Sequence, residues 1–279
     1  MIPPPDPERR HRFYRRVLHA LAEDRLPFLV GGAYAMRRYA DVRRDTRDLD
    51  LFLEPGQAGR AVRLLQRRGF EAGIVSPHWL GKVLERGDTV DLIFRSRNGL
   101  CAVDPDWFRH SRSGRVLGVP IRWVPPEEML WSKSFVMARE RFDGADVGQL
   151  IRARGRSLDW RRLLDRFGAQ WEVLFAQVVL FDFTFPSERA SVPAWVRDDL
   201  LERWRSSRAP HPEPLCRGTL LGPEEYVRDV GPRGYIDARV GPSARATFAD
   251  VPRRAARRGG APSRRGGPSG ARTPGVRRA

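Results

Sequence analysis

Lysine is nearly absent from this chain of 279 residues: of its 51 basic residues only Lys82 and Lys133 are not arginine. An excess of this kind follows codon bias as readily as function, so arginine number alone does not argue for nucleic acid. Cysteine is as scarce, and two of them, Cys101 and Cys216, do not make a disulfide framework. No apolar run approaches the roughly 20 residues of a membrane helix. The opening MIPPPDPERRHRF has no apolar stretch like that of a secretory leader. The five histidines are scattered without zinc-binding spacing. A membrane protein, a stapled secreted domain and a zinc site are thereby excluded. A wholly disordered chain is excluded too, because 41% of residues are apolar and eight are Trp. The expectation is a soluble, cytoplasmic protein without a membrane partner.

What is present divides unevenly. The net charge is +17, but residues 241–279 hold ten Arg and one Asp, a local +9. Subtracting that tail leaves +8 on residues 1–240, a modest excess for their number. The tail is Gly, Pro, Ala and Arg with little apolar bulk, so burial cannot offset its ordering entropy and disorder is expected. It is either a solvated extension or an arm that binds polyanions in a salt-dependent way.

Periodicity predicts an α/β unit over residues 1–124. Val17, Leu18 and Leu21 stripe a helix from about Pro7 to Asp24. A buried strand, Pro27–Val30, closes on Gly31-Gly32, and a short helix runs from Ala33 to about Tyr39. Asp48–Leu53 alternates with period two, a strand. Gly56–Arg68 reads as a helix, Lys82–Glu85 and Thr89–Arg95 as strands paired around Gly87-Asp88, and Arg115–Val124 as one more strand. Residues 125–240 read as helical, starting with Pro126 to about Arg141, then Ala145–Arg154, Leu158–Phe167, Gln170–Phe181 and Pro193–Arg205. The aromatics Trp160, Trp171, Phe175, Trp195 and Trp204 are assigned to the core. The fold class is α+β: a mixed sheet with flanking helices, a helical half and a disordered basic tail.

The chemistry concentrates in Phe28–Leu53, FLVGGAYAMRRYADVRRDTRDLDLFL. Residues two apart on a strand share a face, so Asp48 and Asp50 point one way and Leu49, Leu51 and Leu53 the other. Taken alone, D-x-D on a strand is more often an exposed face or a surface patch paired with arginine, here Arg43, Arg44 or Arg47. Two neighbouring carboxylates repel unless one takes up a proton or a cation lies between them. Asp91 lies within the apolar strand TVDLIF, where a carboxylate needs a partner or a metal. If that strand neighbours Asp48 and Asp50, three carboxylates converge, enough for two Mg²⁺ ions about 3.5–4 Å apart, as in metal-assisted phosphoryl and nucleotidyl transfer. Gly31-Gly32 between strand and helix lets backbone N–H groups approach phosphate oxygens at a helix start. The order is informative: Asp48 comes 17 residues after Gly31, and Asp91 comes 41 after Asp50.

This stretch resembles the nucleotidyltransferase superfamily, the DNA-polymerase-beta-like fold, and within it the bacterial branch of minimal nucleotidyltransferases and abortive-infection toxins. The family pattern is a strand, hG[GS], a short helix, then R-x-[ST]-x-D-[LIV]-D-[LIV]; here it reads Leu29-Val30-Gly31-Gly32-Ala33 and Arg44-Asp45-Thr46-Arg47-Asp48-Leu49-Asp50-Leu51. The resemblance, close over Phe28–Phe94, implies that residues 1–124 are the catalytic domain and 125–240 the acceptor or support region. It implies that Asp48, Asp50 and Asp91 hold the metals and are catalytic, and that Gly31 and Gly32 line the triphosphate. Thr46 supplies a hydroxyl nearby. Lys133, followed by Arg141-Phe142-Asp143-Gly144-Ala145-Asp146, matches a second block of that branch and is assigned to phosphate, with codon chance as the alternative for Lys133 and helix capping for the two acids. The implied activity is Mg²⁺-dependent transfer of a nucleoside monophosphate from NTP to an acceptor hydroxyl on RNA, protein or a small molecule, with a cognate antitoxin as partner. The alternative is a catalytically degenerate relative that binds nucleotide or RNA. One departure stands out: many active relatives have Ser after the first Gly, where this chain has Gly32 and then Ala33.

Overall fold

The structure is a computed structural model, and it describes residues 6–44, 46–207 and 209–239. The tail from Gly241, expected to be disordered, lies outside the described residues. The elements run α1 (Pro7–Glu23), β1 (Leu29–Val30), α2 (Gly32–Ala40), β2 (Asp48–Phe52), α3 (Ala58–Arg67), β3 (Glu71–Ser76), β4 (Leu80–Glu85), β5 (Asp88–Ile93), α4 (Pro105–His110), β6 (Arg112–Val116) and β7 (Val119–Trp123). There follow α5 (Pro126–Ser134), β8 (Met137–Ala138), β9 (Arg141–Phe142), α6 (Gly144–Arg154), α7 (Trp160–Phe167), α8 (Trp171–Thr184), α9 (Ala194–Ser206), β10 (Leu215–Cys216), α10 (Pro223–Tyr226) and β11 (Ile236–Asp237). The fold is α+β. Seven strands form one mixed sheet in the order β3-β4-β5-β2-β1-β7-β6. Its central strand is β2, parallel to β5 and antiparallel to the short β1, which in turn lies parallel to β7.

Alternation decides what each face does. Leu49 and Leu51 on β2 stand beside Val90 and Leu92 on β5, and all four are fully buried. Removing such a side chain from water is worth about 1.5–3 kcal/mol. The helix α1 belongs to the same core: Phe13, Tyr14, Val17, Leu18 and Leu21 are buried, and the Asp6 carboxylate caps the helix by accepting from the N–H groups of Glu8 and Arg9. The alternate positions, Asp48, Asp50, Phe52 and Asp91, fall on the opposite face. From there α2 packs on α6 and so joins the sheet to the helical half.

Three expectations change. Arg115–Val124 is the hairpin β6–β7 rather than a single strand, because Leu117 and Gly118 turn with φ of +51° and +84°. The helix begun at Pro126 stops at Ser134 and gives way to the short hairpin β8–β9, so it does not reach Arg141. Trp195 and Trp204 are 41% and 60% exposed and are not core, whereas Trp160 is buried. In the main sheet β3 went unread: its half-exposed EAGIVS lacks clean alternation and pairs with β4 at the sheet edge, and the two-residue strands β8, β9, β10 and β11 were not foreseen within the helical half. The segment after Pro214 packs back on the body, with Asn98 donating to the Leu220 carbonyl and Met137 N–H to that of Leu221.

Candidate active site

The parallel pairing of β2 and β5 sets Asp50 directly opposite Asp91. Asp48 follows two positions back on the same face. One oxygen from each of the three carboxylates lies within 4.8 Å of the others. Asp48 is exposed, and Asp50 and Asp91 are half-buried. Burial, together with the neighbouring Asp48 and Asp91 charges, pushes the Asp50 carboxyl up to about 7, against the opposing pull of Lys133 and Arg141. Burial also raises Asp91, although Lys82 Nζ donates to its Oδ1 at 2.7 Å. Lys82 is the cross-strand neighbour of Asp91 in the β4–β5 hairpin.

The two glycines stand against this face, each for its own steric reason. A Cβ on Gly31 would come within 2.4 Å of the Phe52 ring, and one on Gly32 within 1.6 Å of Asp50 Oδ2. Gly32 also has φ of +54°, the left-handed region. Gly31 donates its N–H to the Asp50 carbonyl at 3.0 Å, fixing the bend to β2. The helix α2 starts here with no side-chain cap, so its first N–H groups and partial positive charge open beside the carboxylates.

Thr46 donates its hydroxyl to Asp48 Oδ1 and so supports a carboxylate directly. Lys133, at the end of α5, is held between two acids: its Nζ lies 2.8 Å from Asp143 Oδ2 and 2.8 Å from Asp146 Oδ2. Arg141 donates to both oxygens of Asp143 at 3.0 Å, and Arg44 donates to Asp146. Burial opposes ionisation of Asp143, but Arg141 and Lys133 hold its carboxyl below the usual range. Asp143 occupies the N-cap position of α6 without capping it, because its carboxylate is committed to these cations. Asp48, Asp50, Asp91, Gly31 and Gly32 thus share one neighbourhood; Thr46 adjoins it through Asp48, and Lys133 acts electrostatically on Asp50. Sequence reasoning missed Lys82 as the partner of Asp91; Arg44, a candidate partner for Asp48 and Asp50, pairs with Asp146 instead, and Arg141 of the second block pairs with Asp143. Lysine scarcity was a usable signal, since both lysines of the chain end on acids of this site.

A mixed sheet that offers three converging carboxylates beside a glycine bend and an open helix start defines a nucleotidyltransferase-type protein. The chain belongs to a family described as uncharacterised nucleotidyltransferase, whose model matches residues 9–176 and so spans every residue just named. No curated protein matches the sequence. Among solved structures, the chain is similar to the antibiotic-resistance factor ANT(2'')-Ia, with 16% identity, 71% of this chain and 98% of that chain covered, and a TM-score of 0.38. It is similar to a lincomycin-bound lincosamide antibiotic adenylyltransferase, with 14% identity, 50% and 94% covered, and a TM-score of 0.36. It is also similar to a putative nucleotidyltransferase from Thermotoga maritima, with 18% identity, 41% and 76% covered, and a TM-score of 0.32. Likenesses this distant carry no functional inference; membership rests on the family match.

Proposed function

We propose that this protein transfers a nucleoside monophosphate from an NTP to an acceptor hydroxyl. The observation that carries the reading is the convergence of Asp48, Asp50 and Asp91 beside Gly32. The donor set suits hard divalent cations: three carboxylates face one another, Lys82 balances only one of them, and Asp50 resists ionisation as a result. Asp48, Asp50 and Asp91 would hold Mg²⁺, which when bound supplies charge neutralisation at the phosphates and acidifies a hydroxyl. The remaining work falls to the chain. The start of α2 receives triphosphate oxygens on main-chain N–H groups. Asp91, oriented by Lys82, takes the proton of the acceptor hydroxyl. The acceptor oxygen bonds to the α-phosphorus, the bond to the bridging oxygen breaks, and pyrophosphate leaves. Lys133 and Arg141 add positive charge beside the Asp50 carboxylate.

Among the described residues, Asp143 and Asp146, the acids next to Lys133, are already paired with cations. A polycationic acceptor therefore gains little there, and an RNA hydroxyl suits the surroundings better. The test presents labelled NTPs singly, with Mg²⁺ and cellular RNA. Pyrophosphate release with label on RNA is expected. Mg²⁺-dependent NTP binding with no release onto RNA, protein or small-molecule acceptors would make the chain a binding module instead.

The raised Asp50 carboxyl gives a pH signature. The folded, metal-free chain keeps a proton up to about 7 that the unfolded chain releases at its ordinary value of 3.8. Stability conferred by that proton is therefore greatest at low pH, falls as pH rises between those two values, and changes no further above the upper one. Thermal melts in chelator are expected to show this contribution as a decline in melting temperature from about pH 5 to 7. Mg²⁺ binds the ionised form, so it should flatten or reverse the decline. An Asp50→Asn variant provides the reference that isolates this carboxyl from the others.

A further inference from the structure

We propose that Arg10 is a positioning residue for the Asp48 carboxylate, acting through Thr46 from the opposite face of the sheet. The inference rests on the reading of Asp48 as a metal-holding group. Arg10 lies in α1 and is 5% exposed. Its Nε donates to Asp88 Oδ1 at 3.1 Å, and the other oxygen of Asp88 accepts from Arg9 Nη2 at 3.0 Å. Asp88 opens β5 on the buried face, in alternation with Val90 and Leu92 and opposite in direction to Asp91. Arg10 thus starts from the core side of the sheet. Its Nη1 then donates to the Thr46 carbonyl at 2.6 Å. The hydroxyl of the same Thr46 donates to Asp48 Oδ1 on the site face. Three hydrogen-bonded steps therefore lead round the N-terminal ends of β5 and β2 from a buried carboxylate to one of the proposed metal-holding oxygens.

The geometry uses the forked head of arginine. One prong satisfies Asp88 while another reaches a main-chain carbonyl; a lysine ammonium is a compact point charge without that planar fork. The segment held in this way needs holding. Residues 41–44 and Thr46 lie between α2 and β2 outside any strand ladder. Their described anchors are Arg44 on Asp146 and the Thr46 carbonyl on Arg10. Tilting Thr46 moves the hydroxyl that orients Asp48, and a ligand displaced by even part of an ångström binds its cation less well.

The test measures Mn²⁺ binding directly by electron paramagnetic resonance, alongside nucleotidyl transfer and thermal melting, on the full chain. Arg10→Lys is expected to weaken Mn²⁺ binding by about tenfold and to lower kcat while leaving KM for NTP nearly unchanged. Thr46→Val should do the same, and Thr46→Ser should retain wild-type affinity. The double variant Arg10→Lys/Thr46→Val should be no weaker than Thr46→Val alone, because the two residues act in series. A lower melting temperature with unchanged Mn²⁺ affinity in Arg10→Lys, or effects that multiply in the double variant, would overturn the proposal. If Arg10→Lys does not fold, Asp88→Asn takes its place: severalfold weaker Mn²⁺ binding supports the relay, and unchanged affinity rejects it. Wild-type Mn²⁺ affinity in Asp48→Asn would instead reject the metal reading of the site, an outcome separate from the failure of Arg10.

Discussion

Asp48→Asn and Asp50→Asn are each expected to lower nucleotidyl transfer by at least about a thousandfold, or ~4 kcal/mol of transition-state stabilisation, while the protein still folds. Asparagine keeps the shape of each side chain but removes the charge that would hold the metal. The fold has little to lose. Asp48 is exposed, and Asp50 is a carboxylate whose ionisation is opposed by burial and by its two acidic neighbours. Asp50→Asn should even melt at a higher temperature than the unaltered protein when both are free of metal above neutral pH, since repulsion within the trio is relieved. A rise in stability combined with a collapse in activity marks a functional group rather than a structural one. Retained transfer in both variants would remove the metal-based mechanism.

Gly32→Ser is the second change with a large expected effect, and its direction runs against the resemblance. The family pattern that the sequence resembles allows Ser after the first glycine, and by that pattern Ser would restore a missing phosphate contact. Here a Cβ at this position would stand 1.6 Å from Asp50 Oδ2 on a backbone with φ of +54°. The carboxylate would have to rotate away or the bend would have to open. Transfer is expected to fall by about a hundredfold or more, and Gly32→Ala should fall as far, because the obstacle is the Cβ and not the hydroxyl. Steady-state rates of the two variants, compared with Ala33→Ser as a neighbouring control, check this. Wild-type activity in Gly32→Ser would mean that the bend moves freely. The glycine is thus a geometric demand of this particular β1–α2 junction, where the bend stands against Asp50 of β2.

The legible part of the molecule was the part governed by short-range rules. Period-two alternation placed Asp48 and Asp50 on one face, and an acid within TVDLIF marked Asp91. Those rules also located α1, α2 and most helices of the second half to within a few residues. What they could not supply was pairing. That Asp50 lies opposite Asp91 depends on a parallel contact between strands separated by α3 and a hairpin, and periodicity is silent on partners. The same limit hid Lys82, whose role is set by cross-strand register, and the Lys133–Asp143–Asp146 cluster, where a helix-capping explanation for the acids was equally open. The β6–β7 turn was missed because Leu117-Gly118 is an unusual pair for a left-handed turn and Leu117 read as strand.

The β4–β5 hairpin bears on how the chain reaches this state. Lys82 and Asp91 are nine residues apart in sequence and meet across a tight turn, whereas Asp50 must close a separation of 41 to reach the same acid. Loop-closure entropy favours the shorter contact, and hairpins form within microseconds. The expected order is that the ammonium is seated before Asp48 and Asp50 arrive, which a slower folding phase in Lys82→Met than in the unaltered chain would show. In that order like charges meet only after one of them has been neutralised, and the chain is spared a crowded, uncompensated stage.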